Sequence, residues 1–78
     1  MTGFEKLQNV IATTLKVPSS KINEQSKKED LPQWDSLAHL NLMMAIEQTF
    51  DVALEVEDFD RLTSVPAIIQ VLEREGVY

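Results

Sequence analysis

The sequence contains no cysteine and only one histidine, His39. The absence of cysteine excludes disulfides and thiolate metal sites, so any thiol chemistry would need a thiol supplied from outside the chain. A single imidazole also excludes a metal centre built from a cluster of histidines. We therefore expect no metal site in this protein.

The sequence also lacks a long hydrophobic run. No stretch is long or apolar enough to span a bilayer, and Met1 to Lys6 does not have the pattern of a signal peptide. These absences predict a soluble, cytoplasmic protein without membrane insertion. Its 78 residues, 44% of them apolar, suffice for a single domain over 1–78 with one small core.

Positive charge is scarce in the second half of the chain. The net charge is −6, with +1 over residues 1–34 and −7 over residues 35–78. Nucleic acid would be repelled by the acidic half, so we expect no nucleic-acid partner. A basic patch on a partner protein would be attracted to it, although the same acidity also serves solubility.

The spacing of apolar residues predicts an all-α fold, a small bundle of three longer helices and one short helix. The predicted segments are a helix at about 3–16, a long loop at 17–34, a helix at about 36–50, a short helix at about 57–61 and a helix at about 65–75. Thr2 and Glu5 fit a capping box for the first helix. Residues 52–56 alternate weakly like a strand but have no second strand to pair with. A loop as long as 17–34 is more often functional than idle.

Ser36 directly follows an acid, Asp35, at the start of the second predicted helix. A serine in this position lies at the positive end of the helix dipole, beside backbone N–H groups without an intrahelical acceptor. The position favours an anion, and a phosphate esterified to the serine would suit it. No base or oxyanion-binding group accompanies Ser36, which argues against a hydrolase. The sequence indicates a modified serine rather than a catalytic one.

The second predicted helix has apolar residues on two faces when its side chains are placed at about 100° per residue. One broad face contains Leu42, Met43, Ile46 and Phe50. The other, here called the docking strip, contains Leu37, Leu40 and Met44. The long loop could cover this strip, or the strip could be exposed for a partner. Its polar flanks favour exposure.

His39 and Trp34, near Ser36, are each open to two interpretations. His39 lies toward the core face, where a structural role is favoured, since no orienting acid or substrate pocket for a catalytic base is evident. Trp34 could line the path of a group attached to Ser36 or anchor the long loop to the core. Anchoring is the favoured interpretation.

Several motifs together resemble the acyl carrier protein family. They are Asp35-Ser36-Leu37 with the two-faced helix after it, Phe50-Asp51-Val52, the acidic connection that follows, and Thr63-Ser64-Val65. The resemblance extends from the first helix through Leu72. It implies a carrier without catalytic activity, usually monomeric, that bears a covalent 4′-phosphopantetheine arm on Ser36. A separate magnesium-dependent phosphopantetheinyl transferase would transfer this arm from coenzyme A.

The resemblance also implies how partners would dock. The arm ends in a thiol that holds acyl groups as thioesters, and acyl-loading and acyl-using enzymes contact the second helix. The positions that match this docking surface are Asp35, Leu37, Leu40, Met44 and Glu47. The second helix is less acidic here than in carriers of bulk fatty-acid synthesis. We therefore expect acidic residues after this helix to contribute more of the electrostatic attraction of partner proteins. These residues are Glu55, Glu57, Asp58 and Asp60.

The residues before Asp35 point to a specialised member of the family. Gln33-Trp34 stands where carriers of bulk fatty-acid synthesis usually have Gly-Ala. The Trp-Asp-Ser-Leu form is similar to that of specialised carriers and of D-alanyl carrier proteins. It implies a specialised lipid, polyketide-like or cell-envelope pathway. The alternatives are an aminoacyl or D-alanyl carrier of the same fold and an unmodified helical adaptor in which Ser36 is only a helix residue.

Overall fold

The fold is an all-α bundle, as predicted, in a computed structural model that describes residues 3–78. The helices are α1 (Gly3–Leu15), α2 (Ser36–Phe50), the short α3 (Val56–Arg61) and α4 (Val65–Arg74). Each begins and ends within one residue of its predicted bounds. The predicted capping box of α1 depends on Thr2, which lies outside the described residues. Residues 52–55 form no helix or strand and connect α2 to α3.

Local signals account for the ends of the helices. Asp35 is the N-cap of α2 and Ser64 is the N-cap of α4, each accepting a hydrogen bond from a backbone N–H in the first turn. Left-handed residues end two helices, with φ of 59° at Lys16 after α1 and 56° at Asp51 after α2. Gly76, with φ of 72°, follows α4 and adopts this conformation without steric cost.

Phe59 of α3 packs against the buried core residues, so all four helices contribute to one hydrophobic core. Its buried apolar residues are Leu7, Ile11, Ala12, Leu15, Ile22, Trp34, Leu42, Met43, Ile46, Phe50, Leu62, Val65, Ile68, Val71 and Leu72. The set includes all members of the broad face predicted for α2. Ile22 and Trp34 belong to the long loop, so the loop takes part in the core rather than lying over it.

The long loop is held at both ends of its path. It contains two short 3-10 turns, Ser19–Lys21 and Lys28–Asp30. The Gln8 side-chain amide of α1 donates hydrogen bonds to the carbonyls of Ser19 and Ile22, both at 2.9 Å. Further along, an isolated antiparallel bridge pairs Lys27 with Ser64, just before α4. The loop is thereby fixed against both α1 and the connection between α3 and α4.

Candidate functional site

Ser36 is the first residue of α2 and its side chain faces solvent. Directly before it, the Asp35 carboxylate accepts a hydrogen bond from the backbone N–H of Ala38 at 2.8 Å. The Ser36 hydroxyl, by contrast, makes no hydrogen bond to another side chain or backbone group within residues 3–78. The helix cap therefore depends on the acid, while the serine hydroxyl remains accessible for modification.

A cleft of about 290 Å³ begins at Ser36 and runs between α2, α3 and the long loop. Its lining residues are Lys28, Ser36, His39, Leu40, Phe59, Asp60 and Thr63. A second cleft, of about 590 Å³, is lined by Lys27, Lys28, Glu29, Trp34, Thr63 and Ser64. The two clefts share Lys28 and Thr63. A group attached to Ser36 thus has open space on the loop side of α2.

His39 is buried and both of its ring nitrogens are hydrogen-bonded. The indole N–H of Trp34 lies 3.0 Å from Nδ1 of His39, and Nε2 of His39 contacts the carbonyl oxygen of Phe59 in α3. Because an indole N–H can only donate, Nδ1 must accept, and Nε2 carries the proton that it donates to the carbonyl. His39 cannot take a proton from Ser36 without breaking this chain. The arrangement fits the structural interpretation of both residues and shows that His39 does not serve Ser36 as a base.

The Trp34–His39 hydrogen bond predicts a measurable coupling in stability. Trp34→Phe retains an aromatic ring but removes the donor, and His39→Ala removes the acceptor. Each change should cost about 1–3 kcal/mol, because a buried polar group loses its partner. The double variant should cost less than the sum of the two, by about 0.5–3 kcal/mol. Urea denaturation of the four proteins measures the coupling, and strictly additive losses would contradict it.

The docking strip is exposed. Leu37 is 69% exposed, Leu40 49% and Met44 50%, whereas the broad face of α2 is buried. Val56, the first residue of α3, is 82% exposed and was not singled out in the sequence. Its place at the end of an irregular connection left no periodicity from which its exposure could be deduced. The structure therefore presents exposed apolar side chains on α2 and at the start of α3.

Like the N-cap Asp35, Asp58 and Glu47 were assigned to partner contact but use their carboxylates in hydrogen bonds that hold the fold. Asp58 is buried, and its carboxylate accepts a hydrogen bond from the Glu55 N–H at 3.0 Å and lies 3.8 Å from the Arg74 guanidinium. The expectation that Asp58 steers partners was wrong, because the residue caps α3. Glu47 is half-buried and accepts a hydrogen bond from the Leu54 N–H at 3.0 Å, which fastens the connection after α2. The carboxylates of Glu55, Glu57 and Asp60 belong to exposed residues.

The residues that the structure describes contain no candidate metal site. Within residues 3–78, no three His, Cys, Asp or Glu side chains are grouped so that they could hold a metal ion. In the same range, no helix has the length and apolar character needed to cross a membrane.

Comparison with known proteins identifies the family. Residues 5–72 match the family described as phosphopantetheine attachment site. An acyl carrier protein of Akkermansia muciniphila is 35% identical to the chain, over 90% of this chain and 88% of that protein. An acyl carrier protein of Bdellovibrio bacteriovorus is 31% identical over 97% of each chain. One of Clostridium acetobutylicum is 30% identical over 90% of this chain and 91% of that protein.

Proteins of this family bear a covalently attached 4′-phosphopantetheine group and act as carriers rather than catalysts. Their partners are a phosphopantetheinyl transferase and enzymes that handle acyl groups. The fold, the accessible serine at the start of α2 and the match over most of the chain agree: this protein belongs to the acyl carrier protein family.

Proposed function

We propose that Ser36 bears the 4′-phosphopantetheine arm and that residues 1–78 form one carrier domain presenting acyl thioesters to partner enzymes. The observation that carries this proposal is the Ser36 side chain itself, which is exposed at the first position of α2 and free of hydrogen bonds within residues 3–78. It also borders the 290 Å³ cleft, so the arm can leave the serine without displacing core residues. The site thus fits the group that the family carries.

In the loading step, the oxygen of the Ser36 hydroxyl attacks a phosphorus atom of coenzyme A. The new bond joins that oxygen to phosphorus, the bond within the pyrophosphate breaks, and adenosine bisphosphate leaves. A base must take the hydroxyl proton, and both nitrogens of His39 are occupied by Trp34 and Phe59. His39 is therefore not that base, and we assign proton removal to the transferase complex while this chain supplies the nucleophile. The arm's terminal thiol then forms thioesters with acyl groups.

The docking strip is the proposed contact surface for the transferase and the acyl-handling enzymes. Leu37, Leu40 and Met44 are at least about half exposed on the helix that begins with Ser36, and burial of apolar area on docking is favourable. Asp35 and Glu47 border this surface. Because their carboxylates accept hydrogen bonds from the backbone, they would contribute fixed negative charge at the rim.

The protein is proposed to act as a monomer in the cytoplasm, in a specialised lipid, polyketide-like or cell-envelope pathway. Trp34 supports a specialised carrier through the resemblance, because Gln33-Trp34 stands where carriers of bulk fatty-acid synthesis usually have Gly-Ala. An aminoacyl or D-alanyl cargo would use the same serine and the same arm. Loading of the arm-bearing protein by an amino-acid ligase rather than an acyl ligase would identify that alternative.

Intact mass spectrometry tests the proposal. The protein, shown first to lack the arm, is incubated with coenzyme A, magnesium and a broad-specificity phosphopantetheinyl transferase. We expect the mass to increase by one phosphopantetheine group per chain. After proteolytic digestion, a single modified peptide should be found, and it should contain Ser36. No mass increase, under conditions in which a known carrier is fully converted, would favour the unmodified helical adaptor.

A further inference from the structure

Lys28 is a half-buried cation that lies close to the proposed attachment site without an ion-pair partner. No ion pair joins it to an acidic side chain among residues 3–78. It lines the cleft that begins at Ser36, and Asp60 is the acidic residue in the same lining. An ammonium group that is not neutralised by a neighbouring carboxylate gains a charge-assisted hydrogen bond when an anion is brought to it.

The backbone of Lys28 is held in place by the fold. Its N–H donates a hydrogen bond to the Thr63 carbonyl at 2.8 Å, and its carbonyl accepts one from the Leu31 N–H at 3.2 Å. The preceding residue, Lys27, forms the antiparallel bridge to Ser64. Lys28 is therefore fixed at its Cα on the loop side of the cleft, and only its flexible side chain must be ordered to reach a ligand.

We propose that Lys28 binds the phosphodiester of the arm attached to Ser36, an inference that rests on the proposed function. Once attached, this phosphodiester must lie next to Ser36, because it contains the serine oxygen. The Lys28 ammonium can donate up to three hydrogen bonds to its oxygens. In a chain of net charge −6, such a cation offsets the repulsion that a further negative charge would otherwise meet.

This contact gives Lys28 a positioning role. It would hold the first part of the arm in the 290 Å³ cleft, which Ser36 and Lys28 both line. The thiol end of the arm is left free. The residue acts on where the arm lies and takes no part in forming the thioester.

A charge-reversal comparison at neighbouring lysines tests the inference. Lys28→Glu is compared with Lys27→Glu, since both change the net charge equally while Lys27 is exposed and absent from the lining of the Ser36 cleft. Each variant and the wild type are prepared with and without the arm. Urea unfolding at low salt then gives the effect of the arm on the unfolding equilibrium constant.

The arm should stabilise wild type and Lys27→Glu to the same extent. In Lys28→Glu the stabilising effect of the arm should fall by about two- to fivefold in the equilibrium constant, the size of a partly exposed ion pair. The difference should shrink as salt is added. The phosphorus NMR signal of the arm should shift in Lys28→Glu and not in Lys27→Glu. An equal effect of the arm in both variants, together with an unmoved phosphorus signal, would overturn the inference.

Failure of the proposed function and failure of this inference alone give different results. If Ser36 never accepts the arm, the proposed function fails and the inference fails with it. If the arm is accepted but shows no coupling to Lys28, only the inference fails. Should Lys28→Glu not fold, Lys28→Met retains an unbranched apolar side chain without the charge, and the same comparison is made against Lys27→Met.

Discussion

Ser36→Ala is expected to abolish attachment of the arm completely while leaving the fold intact. The variant lacks the oxygen that bonds to phosphorus, so no mass increase should appear with coenzyme A, magnesium and transferase. The hydroxyl makes no hydrogen bond within residues 3–78 and its side chain is exposed. The free energy of unfolding should therefore change by no more than about 0.5 kcal/mol.

Ser20→Ala is the matched control for this experiment. Ser20 is also exposed, lies in a 3-10 turn of the long loop, and offers the same chemical group to the transferase. The Ser20→Ala variant should accept the arm at Ser36 as fully as the wild type does. A mass increase that persists in Ser36→Ala would assign the attachment to another residue and contradict the proposed site.

The second large effect is expected from a pair of leucines on α2. Leu42 is fully buried, whereas Leu40 is 49% exposed on the docking strip. Leu42→Ala should lower the free energy of unfolding by about 2–5 kcal/mol, because a cavity forms in the core. That loss is comparable to the whole stability of a domain of this size, which is about 3–5 kcal/mol. Urea denaturation should show this variant to be largely unfolded.

Leu40→Glu should instead reduce loading of the arm without destabilising the fold. Its free energy of unfolding should change by no more than about 0.5 kcal/mol, since the side chain already contacts water. Its kcat/KM as a substrate of the transferase should fall by about tenfold or more, as expected when a central apolar contact becomes a charge. Because loading is measured by mass and stability by denaturation, the two effects are separated.

Thr49→Glu is the control for added charge on the same helix. Thr49 is exposed and lies about 180° around α2 from Leu40. It should be loaded at close to the wild-type rate. A large loss of stability in Leu40→Glu would show that the docking strip is part of the core, and an equal loss of loading in Thr49→Glu would show that charge rather than position matters.

The elements of the fold that depend on neighbouring residues could be predicted closely. The starts of α2 and α4 follow from the N-caps Asp35 and Ser64, whose side chains accept a hydrogen bond from a backbone N–H three residues on. The two apolar faces of α2 follow from helical periodicity, whereas the exposure of the docking strip is decided by packing. Caps and periodicity involve residues within a few positions of one another, so the sequence pattern suffices to reveal them.

The features that were missed or misassigned depend on residues far apart in the chain. Asp58 reads as a free acid in the sequence, yet it is buried because it caps α3 and meets Arg74 from α4. The hydrogen bond from Trp34 through His39 to Phe59 needs the loop, α2 and α3 together. Such long-range contacts leave no periodic pattern in the local sequence from which they could be predicted.

The candidate site combines both kinds of information. Its chemical identity lies in local sequence, because a capping acid followed by a serine places the serine at the first position of a helix. Its surroundings arise only from packing. The Lys27–Ser64 bridge brings the long loop to the connection before α4 and thereby sets Lys28 beside the cleft that begins at Ser36. Residues 28 and 36 share that cleft because backbone pairing with residues 63 and 64 holds the loop there, and no pattern within the loop itself specifies that pairing.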